Sequence, residues 1–166
     1  FTAHDLPDGL EPNLEAQVTY DPPNFSWPFG THICTVEVDV ETGHVQVLQY
    51  VAVDDCGNQV NPLIVEGQVH GGVAQGVGGA LYERMAYDES GQLLNASFMD
   101  FLMPYASEVP HVETDHLETP SPLNPLGLKG AGEAGTIPVT AVIASAIEHA
   151  EGFPVRSMPI SPSELW

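Results

Sequence analysis

Hydrophobic and polar residues alternate in two consecutive segments in the first third of the chain. Residues 32–39 follow a period close to two, and residues 44–53 form a second, more apolar run of the same kind. Such a period is typical of β-strands. The connection between the two runs contains Gly43 in a Glu-Thr-Gly sequence, which favours a tight turn. The pattern therefore predicts a β-hairpin, and turn-forming residues at 54–58 are expected to end its second strand.

A helical repeat of hydrophobic residues occupies the last quarter of the chain. Residues 137–151 place apolar side chains at positions i, i+3, i+4 and i+7. Thr136 is the expected N-cap, Pro138 suits the first turn, and Gly152 is expected to end the helix. This segment is the clearest helix in the sequence.

A second helix is predicted over residues 62–83, although the segment is rich in glycine. It begins at Asn61-Pro62, a sequence that favours a helix start. Six glycines follow, namely Gly67, Gly71, Gly72, Gly76, Gly78 and Gly79. Each glycine costs a helix about 1 kcal/mol relative to alanine, so this helix must either be stabilised by packing or break. The missing Cβ atoms also allow another backbone or a ligand to approach closely.

These elements predict an α+β fold in which β-hairpins pack with two main helices. A second hairpin is expected over residues 85–95, a further strand over 112–117, and an apolar C-terminal tail that folds back. Residues 1–30 are punctuated by prolines and lack a core pattern, so we expect an irregular arm with one short strand at 16–20. Residues 31–166 form the main unit. We expect the arm to lie on further protein and the chain to be inactive without it.

The charge balance excludes several classes of function. The chain has 23 acidic and 3 basic residues, which give a formal net charge of −20. Such a polyanion does not bind nucleic acid by neutralising phosphates, nor does it bind an anionic membrane surface. No apolar run approaches the roughly 20 residues that span a bilayer, and no signal-peptide pattern is visible. We therefore expect a cytoplasmic protein without membrane insertion or nucleic-acid binding.

The first candidate for chemistry is a glycine-rich loop directly before the C-terminal helix. Residues 127–135 alternate glycine with other residues and include Lys129, the only lysine of the chain, and Glu133. Backbone N–H groups in such a turn can converge on an anion, and a nearby helix N-terminus strengthens that effect. Two structural readings stay open, since Lys129 could pair with any of the acids and Glu133 could simply favour the helix dipole.

The second candidate is the glycine-rich helix itself. Gln68 and Gln75 are two helical turns apart and should project from the same side. Carboxamides beside bare backbone suit a polar ligand with several rings. The alternative is a tightly packed helix with two surface glutamines. His70 has no second histidine or cysteine at ligand spacing, and Cys34 and Cys56 form no zinc pattern, so we expect no metal ligand from this chain.

Three motifs in this order resemble the xanthine oxidase family of molybdenum hydroxylases. Residues 61–76 (NPLIVEGQVHGGVAQG) resemble a helix signature of the molybdenum-binding large subunit, near its C-terminal end. Residues 128–135 (LKGAGEAG) resemble the family's final active-site loop. Residues 98–105 (FMDFLMPY) resemble the segment between them in enzymes of the carbon monoxide dehydrogenase and aldehyde oxidase type. On this basis residues 31–166 are the C-terminal part of a molybdenum-cofactor-binding domain.

The resemblance implies that Glu133 is the catalytic base for oxidative hydroxylation of a substrate carbon. It implies contacts with a molybdopterin cytosine dinucleotide that carries molybdenum, from Gln68, Gly71, Gly72, Gln75, Lys129, Gly130 and Gly132. Iron–sulfur clusters and FAD would be held by partner subunits, and an upstream part of the molybdenum subunit would hold the substrate-selecting loop. The small-molecule substrate is therefore not specified by this chain. The alternative is a non-catalytic interaction module that keeps the fold without the cofactor.

Overall fold

The computed structural model describes residues 6–9 and 15–166. In chain order the elements are β1 (Phe29–Val38), β2 (Val45–Asp55), α1 (Pro62–Leu81), β3 (Val112–His116), α2 (Val139–Glu151) and α3 (Pro162–Leu165). The strands form one sheet in the order β1-β2-β3. Long helices and a small sheet make this an α+β fold, as predicted.

Strands β1 and β2 form the expected antiparallel hairpin, with a bulge between Thr35 and Val36. Gly43 closes the turn with a φ of 70°, in the region that favours glycine. Strand β3 then pairs in parallel with β2, with Val112 opposite Tyr50. A parallel pair needs a long crossover connection, and α1 lies within that connection.

Helix α1 runs unbroken over 20 residues in spite of its glycines. The Asn61 side chain accepts a hydrogen bond from the Ile64 N–H and caps the helix. Glycines on the buried face permit very close packing: a Cβ atom built on Gly76 would lie 2.3 Å from the Cβ of Val139. Packing against the start of α2 therefore stabilises what helix propensity alone would disfavour.

Helix α2 ends as predicted but begins differently. Gly152 stops it in the left-handed conformation, with a φ of 77°. The predicted cap at Thr136 is wrong, because Pro138 occupies the N-cap position without a side-chain hydrogen bond. The physical reason is a turn in front of the helix, in which the Thr136 and Ile137 N–H groups both donate to the Glu133 carbonyl.

The core lies between the sheet and the two long helices. Its fully buried large side chains include Tyr50, Val73, Val77, Ile143 and Ile147. The C-terminal tail folds back as expected: Ile160 is buried, and its N–H donates to the Ala80 carbonyl at 2.7 Å. None of the helices within the described residues has the length and hydrophobicity needed to cross a bilayer.

Two predicted strand regions are less regular than expected. The hairpin over 85–95 contains one antiparallel bridge, Tyr87 to Leu93, and no strand. Residues 16–20 are exposed coil, so the predicted short strand is wrong; no described strand runs beside them to pair with. The rest of the described arm up to Pro28 is also irregular, while residues 1–5 and 10–14 lie outside the described residues.

Candidate functional site

The two glycine-rich segments come together in the folded chain. A Cβ atom built on Gly135 would lie 2.7 Å from the Cα of Val69. A Cβ atom built on Gly72 would lie 2.7 Å from the carbonyl carbon of Gly135 and 2.8 Å from the Thr136 nitrogen. Backbone therefore lies directly on backbone, which only glycine permits at these distances. The loop that carries Glu133 is thereby held against α1 next to Gln68.

The loop presents unpaired backbone donors. Within the described residues, the N–H groups of Gly130, Ala131 and Gly132 donate no hydrogen bond of normal geometry. Gly130 and Gly132 are exposed, and a Cβ atom on either would meet nothing within 4 Å. Backbone N–H groups normally find a partner. Three consecutive free donors in an open loop are therefore available to an anionic or oxygen-rich ligand.

The outer face of α1 is open at the predicted positions. Gln68 and Gln75 are both exposed, and positions seven apart lie on the same side of the unbroken helix. Gly71 between them has nothing within 4 Å of a built Cβ atom. Gly72 differs from the other predicted contacts because it is buried beneath the backbone of Gly135 and Thr136. Its missing side chain makes room for the protein's own loop.

Glu133 is exposed at the centre of the loop. Its carbonyl oxygen accepts hydrogen bonds from Thr136 N at 2.9 Å and from Ile137 N at 3.2 Å, which fixes the backbone that follows. Its carboxylate forms no ion pair or hydrogen bond with any residue of 6–9 and 15–166. The backbone is thus held by a turn while the carboxylate stays available as a proton acceptor.

Lys129 is engaged by the protein interior. Its Nζ lies 3.1 Å from Asp55 Oδ1 and 4.4 Å from the centre of the Phe29 ring, and only 9% of the side chain is exposed. The backbone N–H of Lys129 donates to the Cys56 carbonyl at 2.8 Å. The structural reading that the sequence left open for Lys129, pairing with an acid, is observed. The ammonium therefore anchors the loop to the end of β2.

Asp55 is a site residue that the sequence analysis missed, since residues 54–58 were interpreted as turn formers and β2 was ended at residue 53. The side chain is 1% exposed. Burial alone would raise the pKa of this carboxyl, but polar groups of Thr119 and Gly57 and the Lys129 ammonium face it and lower the pKa. Oδ2 nevertheless has no partner of normal hydrogen-bond geometry, Thr119 included. The available signal was a pair of aspartates directly after an apolar run.

A second buried polar cluster lies beside it on the sheet and was also missed. His32 Nε2 lies 3.2 Å from Asp54 Oδ2, and Nδ1 lies 2.8 Å from the Tyr50 hydroxyl. A neutral imidazole satisfies both contacts when Nε2–H donates to the carboxylate and Nδ1 accepts from the hydroxyl. Burial raises the pKa of Tyr50, and the nearby Cys34 and Asp54 add to that effect. The cluster links β1 to β2.

Two concave surfaces adjoin the loop. An open, mainly apolar groove of about 640 Å³ lies between the arm and residues 123–130, and its walls include Tyr20, Phe25, Leu126 and Gly130. A smaller cavity of about 150 Å³ lies behind the loop, between Asp54 and Ala134. No group of three or more histidine, cysteine or acidic side chains within the described residues is arranged to hold a metal ion.

Comparison with known proteins identifies what this arrangement is similar to. A sequence model of the molybdopterin cofactor-binding domain matches residues 3–110. The carbon monoxide dehydrogenase large chain of Hydrogenophaga pseudoflava is 46% identical over 98% of this chain, which corresponds to 21% of that protein.

Solved structures agree with the sequence comparison. The Cu,Mo carbon monoxide dehydrogenase superposes with a TM-score of 0.89 at 43% identity, covering 98% of this chain and 21% of the other. Quinoline 2-oxidoreductase from Pseudomonas putida 86 gives a TM-score of 0.88 at 40% identity, covering 96% and 21%.

The chain thus spans about a fifth of the length of the relatives that it matches. The family match covers α1 and its exposed glutamines and ends before the loop with Glu133, which lies in the part shared with the longer relatives. From motif order, fold and similarity together, the chain belongs to the molybdopterin cofactor-binding domain family, within the xanthine oxidase family that its glycine-rich motifs resemble.

Proposed function

We propose that this chain completes the cofactor site of a molybdenum hydroxylase and that Glu133 is its catalytic base. The proposal depends on one observation above all. An unpaired carboxylate lies in a loop with three unpaired N–H groups, and close glycine contacts hold that loop on α1 beside an exposed glutamine. Within residues 6–9 and 15–166 neither this carboxylate nor these donors have a protein partner, and this supports a site for a ligand.

The residues present fit a molybdopterin cofactor of the cytosine dinucleotide form. Such a cofactor has a polar pterin and phosphate groups, which need many hydrogen-bond donors. The N–H groups of Gly130, Ala131 and Gly132 would serve the anionic part, and the Gln68 and Gln75 amides would serve the pterin or its linkage. Gly71 leaves bare backbone against which the cofactor can lie.

The chemistry is divided between cofactor and protein. When bound, the molybdenum cofactor supplies the two-electron oxidation. Glu133 takes up the proton that is released as the attacking oxygen nucleophile forms, and general-base catalysis of this kind is worth about 10²–10⁴-fold in rate. The free donors of the loop orient the cofactor, and the turn after Glu133 fixes the direction from which its carboxylate approaches. In the non-catalytic alternative Glu133 would only favour the dipole of α2, which begins six positions later at Val139, whereas that effect falls off within the first turn.

Further protein is part of the proposal. Several large apolar side chains are more than 70% exposed, among them Trp27, Phe98 and Met99. The longer relatives have about four fifths of their length outside the matched part. We propose that the rest of a molybdenum subunit covers these residues and contributes the substrate loop, and that partner subunits carry iron–sulfur clusters and FAD. The free cysteines Cys34 and Cys56 are consistent with the reducing cytoplasm.

Replacement of Glu133 by glutamine in the holoenzyme tests the catalytic role. The amide keeps size and polarity but cannot accept the proton, so turnover per bound molybdenum should fall by about 10²-fold or more while molybdenum content stays unchanged. Glu41→Gln, at an exposed hairpin turn, is the matched control. The substrate panel should include carbon monoxide, an aldehyde and an N-heterocycle. Turnover of Glu133→Gln near the unmodified rate on every active substrate would refute the assignment.

A further inference from the structure

Glu133 lies in a short span of chain that is anchored by contacts at both ends and has few hydrogen bonds between them. At one end Lys129 is fixed to the end of β2 by its side chain and its N–H group. At the other end Gly135 lies on the backbone of Val69. The three N–H groups between Lys129 and Glu133 donate no hydrogen bond within the described residues. The backbone that carries the Glu133 carboxylate is therefore positioned by these two ends together with the turn in which its carbonyl accepts the Thr136 and Ile137 N–H groups.

The first end combines backbone hydrogen bonds with one buried side-chain ion pair, the contact that fixes the Lys129 ammonium. Lys129 Nζ and Asp55 Oδ1 are 3.1 Å apart, and the two side chains are 9% and 1% exposed. At such burial, removal of one partner leaves the other charge without compensation. Lys129 is the only lysine among three basic residues. No other lysine of the chain can take its place.

Asp55 is itself rigidly placed. Its Oδ1 also accepts the Gly57 N–H at 2.9 Å. The segment after it bonds to the loop as well, since Asn58 N donates to the Gly127 carbonyl at 3.2 Å. The Phe29 ring, whose centre is 4.4 Å from the ammonium, adds a cation–π attraction. The end of strand β2 thus fixes the Lys129 side chain through Asp55.

We propose that Asp55 is a positioning residue for catalysis, which holds Lys129 and thereby sets the location of Glu133 relative to the cofactor. The inference rests on the proposed function, because it takes Glu133 as the base. A displacement of about 1 Å at a reacting group can cost on the order of 100-fold in rate. Loss of the tether should therefore reduce turnover even in molecules that keep their cofactor.

The test compares Asp55→Asn with two further variants of the holoenzyme. The double variant Asp55→Asn/Lys129→Met removes both charges, so no unpaired ammonium stays buried and stability should recover, yet the tether is still absent. Tyr50→Phe is the matched control, since it breaks the buried contact with His32 on the same strand without touching the loop. Measurements are kcat and KM per bound molybdenum, thermal midpoint, and hydrogen exchange at Leu128 and Lys129.

We expect Asp55→Asn to lower kcat per molybdenum about ten-fold or more with KM changed less than about three-fold, as misplacement of a base predicts. Amide exchange at Leu128 and Lys129 should accelerate. In the double variant the thermal midpoint should return toward the unmodified value while kcat stays low. Tyr50→Phe should lower the midpoint but leave kcat and exchange in the loop unchanged.

Recovery of kcat together with the midpoint in the double variant would overturn the inference, because the ion pair would then act on stability alone. If Asp55→Asn binds no molybdenum, Asp55→Glu replaces it: this variant keeps the pair but lengthens one arm, and unchanged kcat would equally overturn the inference. Glu133→Gln separates the two proposals. If it is inactive while Asp55→Asn is fully active, only the positioning role fails; if it is active, the proposed function fails.

Discussion

The two ends of the span that carries Glu133 are built on opposite principles. At the Lys129 end, a buried ion pair joins residues 74 positions apart in the sequence. At the Gly135 end, no ion pair or hydrogen bond is involved within the described residues. The contact exists because side chains are missing on both the loop and the facing helix turn at Gly72. The first end can be broken by removing a charge, the second by adding a methyl group. Stability changes at the two ends should therefore differ in kind.

The largest loss of stability is expected at the ionic end. Asp55→Asn leaves the Lys129 ammonium buried without its partner, which should cost about 3–5 kcal/mol of the free energy of unfolding near neutral pH. The pKa of Asp55 is lowered in the folded state: burial opposes this, but the contacts with Thr119, Gly57 and Lys129 outweigh it.

The pH dependence gives this prediction its sign. A carboxyl whose pKa is lowered by folding contributes stability above its unfolded pKa of about 3.9, and loses it as pH falls through the folded value. Urea unfolding of the apo subunit should show a difference between the unmodified protein and Asp55→Asn that is constant above about pH 5 and shrinks in acid. A difference that grows in acid would contradict the assignment.

The glycine end should respond to a single added carbon. In Gly135→Ala the new Cβ would lie 2.7 Å from the Cα of Val69, and backbone cannot move aside as a flexible side chain would. We expect the free energy of unfolding to fall by about 1–3 kcal/mol, the usual cost of overpacking, without the pH dependence expected for Asp55→Asn. Chemical denaturation at pH 4 and pH 7 measures both points.

An open glycine on the same helix sharpens the contrast. Gly71→Ala meets no atom within 4 Å, so it should stabilise the apo subunit by about 1 kcal/mol through helix propensity. Because the proposed cofactor lies against this position, molybdenum content should fall. Gly67→Ala, equally open on α1 but outside the proposed contacts, is the matched control and should gain the same stability with full molybdenum content. Equal molybdenum content in both variants would remove Gly71 from the site.

These cases show which features the sequence could predict. The helix over 139–151 and the first hairpin repeat their patterns over many residues, so local periodicity was sufficient. The glycines of α1 indicated that bare backbone would allow either close packing or the approach of a ligand. They did not indicate which glycine serves which purpose: Gly72 is covered by the loop and Gly71 is open. That division depends on which helix face the loop crosses, a contact between segments more than 60 residues apart.

The residues that were missed share a different cause. Asp54 and Asp55 were interpreted as turn formers because acidic residues after a strand are usually exposed. Their burial is possible only because His32 and Lys129 come from distant segments to pair with them. A buried charge is a property of two partners, and a local pattern shows only one. The short sequence after residue 53 therefore could not reveal its role in the site.

The smallest effect on stability is expected at the exposed amide. Gln68 forms no hydrogen bond with any described residue, and its side chain is on the open face of α1. Gln68→Ala should therefore leave the thermal midpoint of the apo subunit unchanged or slightly raised, since alanine favours the helix. In the holoenzyme it removes a donor and acceptor from the proposed cofactor, and loss of one such hydrogen bond costs about 1–3 kcal/mol of binding free energy. In enzyme produced under a limiting cofactor supply, the molybdenum and pterin content of Gln68→Ala should thus fall. The control Gln46→Ala, which changes an exposed glutamine on β2, should keep both. Retention of full pterin content by Gln68→Ala would mean that the Gln68 amide does not contact the cofactor, and the proposed contacts on α1 would then be limited to Gly71 and Gln75.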